Sequence, residues 1–298
     1  MPNSINYAVD YSRALAQAYP YALYFGDLYN TPNNGRYKWI NSKTIAIPSI
    51  STTGRVNGNR DQISGISRNY DNAWEQKELT NHRKWSTLVH PEDIDQTNMV
   101  ASITNITRVF NEENKFPEMD AYTISKFYAL WTAQSKTANT TALTAANVLT
   151  VFDTMMKAMT DARVPETGRI LYVTTGVKDL IKNAQQIQRT FNVQNGSNQL
   201  KMAIDSIDLV KIVPVPDALM KTAYDFTTGW AVGQSAKQIN MFLVHPSAVI
   251  TPISYQFSKL DEPSAGSEGK YIYFEESFED VFILNRRVNG LQFNITNP

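Results

Sequence analysis

The chain contains no cysteine. That excludes disulfides, iron–sulfur clusters, thiolate zinc sites and cysteine nucleophiles. Histidine is scarce as well: His82, His90 and His245 are the only three in 298 residues. No HExxH or close pair sets two imidazoles on one helix face. His90 and His245 each precede a proline, where the backbone is extended, and read as strand-end residues rather than metal ligands. Walker-type loops, GxGxxG and GxSxG are all missing. No apolar run approaches the about 20 residues of a membrane span, and the N-terminus lacks a basic stretch followed by an apolar one. An intracellular protein with no membrane partner is the simpler expectation. Net charge is lacking too, with 28 basic against 28 acidic residues. A neutral chain is poorly suited to gripping nucleic-acid phosphates as its main task. Its copies do not repel one another at long range.

What remains is aromatic, β-branched and amide-rich. Tyr7, Tyr11, Leu15 and Ala18 recur at helical spacing until Pro20, and Tyr19, Tyr21, Tyr24, Phe25 and Tyr29 follow. This opening segment either packs on its own core or lies as an arm on a neighbour, where tyrosine supplies large contact area with a polar tip. From Tyr37 to His90 the pattern is that of a long hairpin. "YKWINSKTIAIPSI" is the outgoing strand, a Gly/Ser/Asn/Arg tip surrounds Asn57-Gly58, and "WEQKELTNHRKWSTLV" returns. A two-stranded ribbon is marginal alone in water, so it needs another surface, unless this stretch is only a disordered insertion. Arg55, Arg60 and Arg68 flank the tip. With no aromatic among them for base stacking, they fit salt bridges to an acidic neighbour better than nucleic acid.

Asp95 is positioned to cap a helix from about Gln96 to Asn111, with Met99, Ile103, Ile106 and Phe110 on its apolar face. "PEDID" fits that helix start better than a cation site. Pro117 fits the first position of a second helix, running to about Gln134, with Glu118 and Asp120 opposing its dipole. A catalytic carboxylate pair is the alternative for those two acids. A third helix spans about Leu143 to Ala162 with a methionine-rich buried stripe. "ILYVTT", "IDLVKIVPVP", "INMFLVH", "AVITPISYQF" and "YIYFEESFEDVFIL" read as strands, and "VKDLIKNAQQIQR" as a helix. Asn-Gly pairs at 34, 57, 195 and 289 suit tight hairpin turns. The last of them makes the C-terminus a β-hairpin. The class is α+β without a regular βαβ period.

Several stretches together carry a family likeness. "KTIAIPSISTTG" with "NYDNAWEQKELTNHRKW", "FPEMDAYTISKF", "RVPETGRILYVTTGVKDLI", "LVKIVPVPDALM", "INMFLVHPSAV" and "FEDVFILNRRVNGLQFNI" resemble, in this order, the major capsid protein of tailed bacteriophages. That fold is shared with the floor of herpesvirus shells. The resemblance runs from about residue 36 to the end. It implies an N-terminal arm (1–35) and an extended β-hairpin loop (36–90). A peripheral domain with a long spine helix (91–140) would follow, then an axial domain with a central β-sheet (141–250) and return strands (251–298). Either Gln96–Asn111 or Glu118–Gln134 supplies the spine. It also implies a non-enzymatic shell subunit assembling in the host cytoplasm, as hexamers and pentamers, into a virion head around double-stranded DNA held without sequence specificity. No cofactor is implied. A portal protein would be a partner, and so would a separate scaffolding protein, since no long segment of that kind precedes the arm. Some members crosslink a lysine to an asparagine, and Lys43, Lys77 and Lys84 lie in the corresponding region. Tyr7, Tyr11, Tyr24, Arg55, Asn57, Arg60, Arg68 and Trp74 are the expected assembly contacts, with Gly35, Gly54 and Gly65 as hinges. The alternatives are a nanocompartment shell of the encapsulin kind, marked by a cargo pocket, or a carboxylate-dependent hydrolase.

Overall fold

The computed structural model describes residues 23–55, 57, 68–96, 102–184 and 206–296. The helix expected through Tyr7 to Ala18 lies outside these residues, as does the later part of "VKDLIKNAQQIQR". The chain begins with a single turn, α1 (Gly26–Tyr29), followed by strands β1 (Lys38–Asn41), β2 (Thr44–Thr52), β3 (Tyr70–Glu78) and β4 (His82–Val89). Helices α2 (Pro91–Gln96), α3 (Ile103–Phe110), α4 (Phe116–Ala133) and α5 (Val148–Asp161) come next. Strand β5 (Ile170–Thr174) leads into α6 (Thr175–Lys182). Strands β6 (Ser206–Ile207), β7 (Val210–Val215), β8 (Tyr224–Asp225), β9 (Ala231–Val232) and β10 (Ile239–Val244) follow. The last are β11 (Val249–Ile250), β12 (Ile253–Asp261), β13 (Tyr271–Glu279), β14 (Phe282–Ile283) and β15 (Leu291–Ile295).

The core is built on a five-stranded sheet, ordered β15-β10-β5-β7-β6, with β5 and β7 parallel and the other pairs antiparallel. Both of its faces are covered, which is why "ILYVT" and "INMFLV" are nearly continuous apolar runs. On one face Tyr172, Phe242 and Phe293 stack in a row under Phe127 and Trp131 of α4. On the other, Leu171, Val173, Met241 and Leu243 meet Phe152, Met155 and Met159 of α5. The methionine stripe is core, as its spacing indicated.

The two expected helices are one rod. Ser102, not Asp95, caps α3, its Oγ accepting the Asn105 N–H at 3.4 Å. The helix then passes through a π turn at Asn111–Lys115 directly into α4. Pro117 explains the turn. Inside a plain α-helix it removes one hydrogen bond and its ring strikes the carbonyl four residues back. A wider turn just before it relieves both, and the Phe116 N–H reaches back to Asn111 O. Pro117 therefore does not begin a helix, and the question of which helix is the long one dissolves: Ile103 to Ala133 run together.

Three further expectations change. The returning run of the hairpin is two strands, broken at Leu79–Asn81. β3 pairs with β2, whereas β4 pairs with β13 in a separate sheet, ordered β12-β13-β4. The break follows burial: Leu79 sits in a small core with Ile45, Ile47, Ile250 and Phe282. The outgoing run also splits, at Ser42–Lys43, into β1 and β2. Similarly, "IDLVKIVPVP" turns at Asp208 and Leu209, both at positive φ, so that β6 folds back on β7.

The C-terminus is not a hairpin. Phe282–Ile283 pairs with β11 and a short 3-10 segment spans Asn285–Gly290. Leu291–Ile295 then becomes the edge strand of the central sheet beside β10. Gly290 is needed for close approach rather than for a turn: a Cβ there would lie 2.6 Å from the Ala248 Cβ. Gly290→Ala should cost about 1–3 kcal/mol through overpacking, read as a lower thermal midpoint; an unchanged midpoint would refute this.

Candidate assembly surfaces

The first surface is the exit of the N-terminal segment. Asp120, fully buried on α4, accepts the backbone N–H groups of Tyr24 at 2.9 Å and Phe25 at 3.1 Å. Phe25 and Leu28 fill the main core beside it. Tyr29 donates to or accepts from Thr123 at 2.7 Å. Burial, with the charges of Glu279, Asp120 and Asp280 nearby, drives the Tyr29 phenol well above its usual range. Asn34 then bonds Tyr29 O and both ends of Thr251, and Asn33 bonds Val249 O. Asn34-Gly35 is thus a polar staple and not a hairpin turn. Asp120 is a buried anchor for a distant backbone segment, which differs from its expected role in opposing the helix dipole. Glu118 pairs with Arg83 at 2.5 Å, and Arg83 also donates to Phe226 O at 2.7 Å. Both acids are thus committed to structural contacts.

The second surface is the hairpin. Paired residues share a face and alternate along a strand. The register Pro48↔Trp74, Ile50↔Asn72 and Thr52↔Tyr70 therefore gathers Pro48, Ile50, Tyr70 and Trp74 on one side. Ile50 is 64% exposed, Tyr70 56% and Trp74 54%. Such a contiguous apolar stripe on a ribbon is the mark of a docking face. Of the expected contacts, Trp74 lies in this stripe, and Arg55 and Asn57 are exposed near the tip. Arg68 lies over the Tyr70 ring at 4.7 Å and bonds Tyr70 O and Asn72, so its cation is held on its own strand. Tyr24 belongs to the Asp120 anchor. Tyr7, Tyr11 and Arg60 lie outside the described residues. Lys77 is occupied by Asn285 and Glu75, each at 2.9 Å.

The third surface was not anticipated. On the β12-β13-β4 sheet, one face lies against the helical rod: Trp85 stacks on Phe110 at 3.9 Å and Lys115 pairs with Glu275 at 3.1 Å. The opposite face exposes Tyr255 and Phe257, stacked at 6.2 Å, and Leu88 at 61% exposure. Phe274 also lies on it, with its ring 6.2 Å from Phe257. The sequence carries its signal as the alternating aromatics at 255 and 257. A strand apolar on its outer face reads in sequence like one buried on its inner face.

Glu279 lies beside the rod, almost fully buried, with its Oε2 unpartnered. Burial raises its carboxyl above the ordinary value, partly offset by Lys115 and reinforced by Glu118 and Asp280. A carboxyl raised in the fold adds stability below its unfolded pKa and loses it as pH rises through the folded one. Glu279→Gln should therefore raise the thermal midpoint at about pH 7.5 and leave it unchanged near pH 4. An equal effect at both values would contradict the assignment. Among the described residues, no group of three or more His, Asp or Glu could hold a metal ion, and no helix is long and apolar enough to cross a membrane.

No protein-family model matches this sequence, and no curated protein is similar to it. Solved structures do match, over almost the whole chain. The mature capsid of bacteriophage PhiM1 aligns with a TM-score of 0.69 at 12% identity, covering 98% of this chain and 92% of that one. The capsid of cyanophage P-SCSP1u aligns at 0.64 and 12%, covering 97% and 93%. A chain from Mycobacterium phage Che8 aligns at 0.59 and 14%, covering 96% of each. At these identities the likeness is one of fold: this chain is folded as the chains of these phage capsids are.

Proposed function

From that shared fold, we propose that this chain is a major capsid protein, a structural subunit that self-assembles as hexamers and pentamers into the icosahedral head of a tailed phage. The observation that carries the reading is the hairpin. Its stripe of Pro48, Ile50, Tyr70 and Trp74 projects beyond the small core at its root, and the β12-β13-β4 sheet offers a second apolar face elsewhere on the subunit. Two different patches per copy make a heterologous contact, which closes into rings or continues into larger lattices. Several such contacts per subunit add avidity without any one being strong.

In this reading residues 1–35 are an arm, 36–90 the extended loop, and 141–250 carry most of the axial domain. A portal protein and a separate scaffolding protein are partners, double-stranded DNA is enclosed without sequence readout, and assembly takes place in the host cytoplasm. The test is negative-stain microscopy with light scattering of the purified chain, across protein concentrations and with its scaffolding partner supplied. Rings, tubes or shells support the reading. A fixed small species under every one of these conditions overturns it.

A further inference from the structure

We infer that the cavity between the helical rod and the β12-β13-β4 sheet is a binding site for an alkylammonium group, with Glu279 as its counter-charge. The cavity has a volume of about 430 Å³, far beyond the roughly 30 Å³ of one water. Its sides come from the rod, from the rod-facing side of β4 and β13, and from the loop between β8 and β9 at Gly229. The π turn contributes Asn114 and Lys115, and such turns recur at functional sites.

The charges around this cavity leave one carboxylate over. Glu118 pairs with Arg83 at 2.5 Å, and the other nitrogens of Arg83 donate to Phe226 O and Gly229 O. Glu275 pairs with Lys115 at 3.1 Å. Lys84 stands at the exposed lip, opposite Glu276 in the ladder. Glu279 remains. It is 6% exposed, more buried than any other lining residue, and its Oε2 has no hydrogen-bond partner. Burial raises its carboxyl even though Lys115 pulls the other way. A buried carboxylate in that position is stabilised by a cation that also donates hydrogen bonds. An ammonium brings three N–H donors to it, while Trp85, Met119 and Tyr122 give apolar walls for the methylenes behind. A metal ion is poorly matched, since no three acids or histidines converge among the described residues. A free amine and a lysine of a second copy present the same group.

Binding of this kind is independent of the capsid reading, and the unassembled chain suffices to test it. n-Butylammonium chloride is titrated into the full chain at about pH 7.5, as in the Glu279→Gln comparison above. Calorimetry and the thermal midpoint are read against sodium and tetramethylammonium chlorides of equal ionic strength. Saturable binding with a dissociation constant of about 1 mM is expected, with a midpoint that rises with ligand. Glu279→Gln removes the charge and keeps the shape. It should fold, bind at least about tenfold more weakly and show no response of its midpoint. Tetramethylammonium, with no N–H to donate, should bind no better than sodium. No saturable binding of butylammonium, equal binding of tetramethylammonium, or undiminished affinity in Glu279→Gln would each overturn the inference. Light scattering then separates the two sources. If a lysine of a second copy fills the cavity, saturating butylammonium lowers self-association of the wild-type chain. If a free amine fills it, association is unchanged.

Discussion

Closing the hairpin at its root leaves a folded subunit that no longer builds rings or shells. Ile47 and Glu75 face each other in the ladder, so a two-residue Asn-Gly turn can join them and remove Pro48 to Trp74. The core beneath the root, Ile45, Ile47, Leu79, Ile250 and Phe282, is untouched. Unfolding by urea should therefore keep nearly the same midpoint, apart from the loss of the Arg286 bond to Ile50 O. What disappears is the exposed stripe of Ile50, Tyr70 and Trp74. Fully burying such side chains is worth roughly 1.5–3 kcal/mol each, and a lattice repeats that gain at every contact. Light scattering and microscopy of the shortened chain provide the measurement. Shells of the usual size from it would remove the hairpin from the assembly mechanism altogether.

Asp120→Ala is expected to be the most damaging single substitution. It leaves the Tyr24 and Phe25 N–H groups inside the protein without an acceptor. Each orphaned buried group costs roughly 1–3 kcal/mol, so a loss of about 3 kcal/mol or more is expected. A carboxylate acting only on a helix dipole would be worth about 0.3–1 kcal/mol, and the size of the loss separates the two roles. Asp120→Asn keeps one acceptor oxygen and should fall between. The accompanying signature is local: the segment from Leu23 to Tyr29 should become sensitive to protease at conditions where the central sheet still resists. A loss below about 1 kcal/mol with no such sensitivity would return Asp120 to the dipole role.

The legible part of this fold was whatever depended on local pattern. The methionine stripe of α5, the two-sided burial of "ILYVT" and "INMFLV", and the ribbon between Thr44 and Glu78 follow from periodicity and composition. The misread parts depended on partners distant in the chain. Nothing near Leu79 announces that β3 and β4 belong to different sheets, because the reason is a core assembled with Ile250 and Phe282. Asn289-Gly290 has the chemistry of a hairpin turn, yet Gly290 is fixed by its contact with Ala248. Asp120 has a complete local explanation in the helix dipole. Its actual partners lie about a hundred residues away, beyond any local signal.

The π turn before Pro117 also has a consequence in helical phase. In an uninterrupted α-helix, at about 100° per residue, Phe110 and Glu118 would project about 80° apart around the axis. The π turn absorbs one extra residue, which brings the two to within about 20° of each other. They then share a side of the rod, opposite the side that carries Phe127 into the main core. Arg83 and Trp85, two residues apart on one face of β4, meet them in turn. One added residue thus lets a single helix pack against the central sheet on one side and the small sheet on the other.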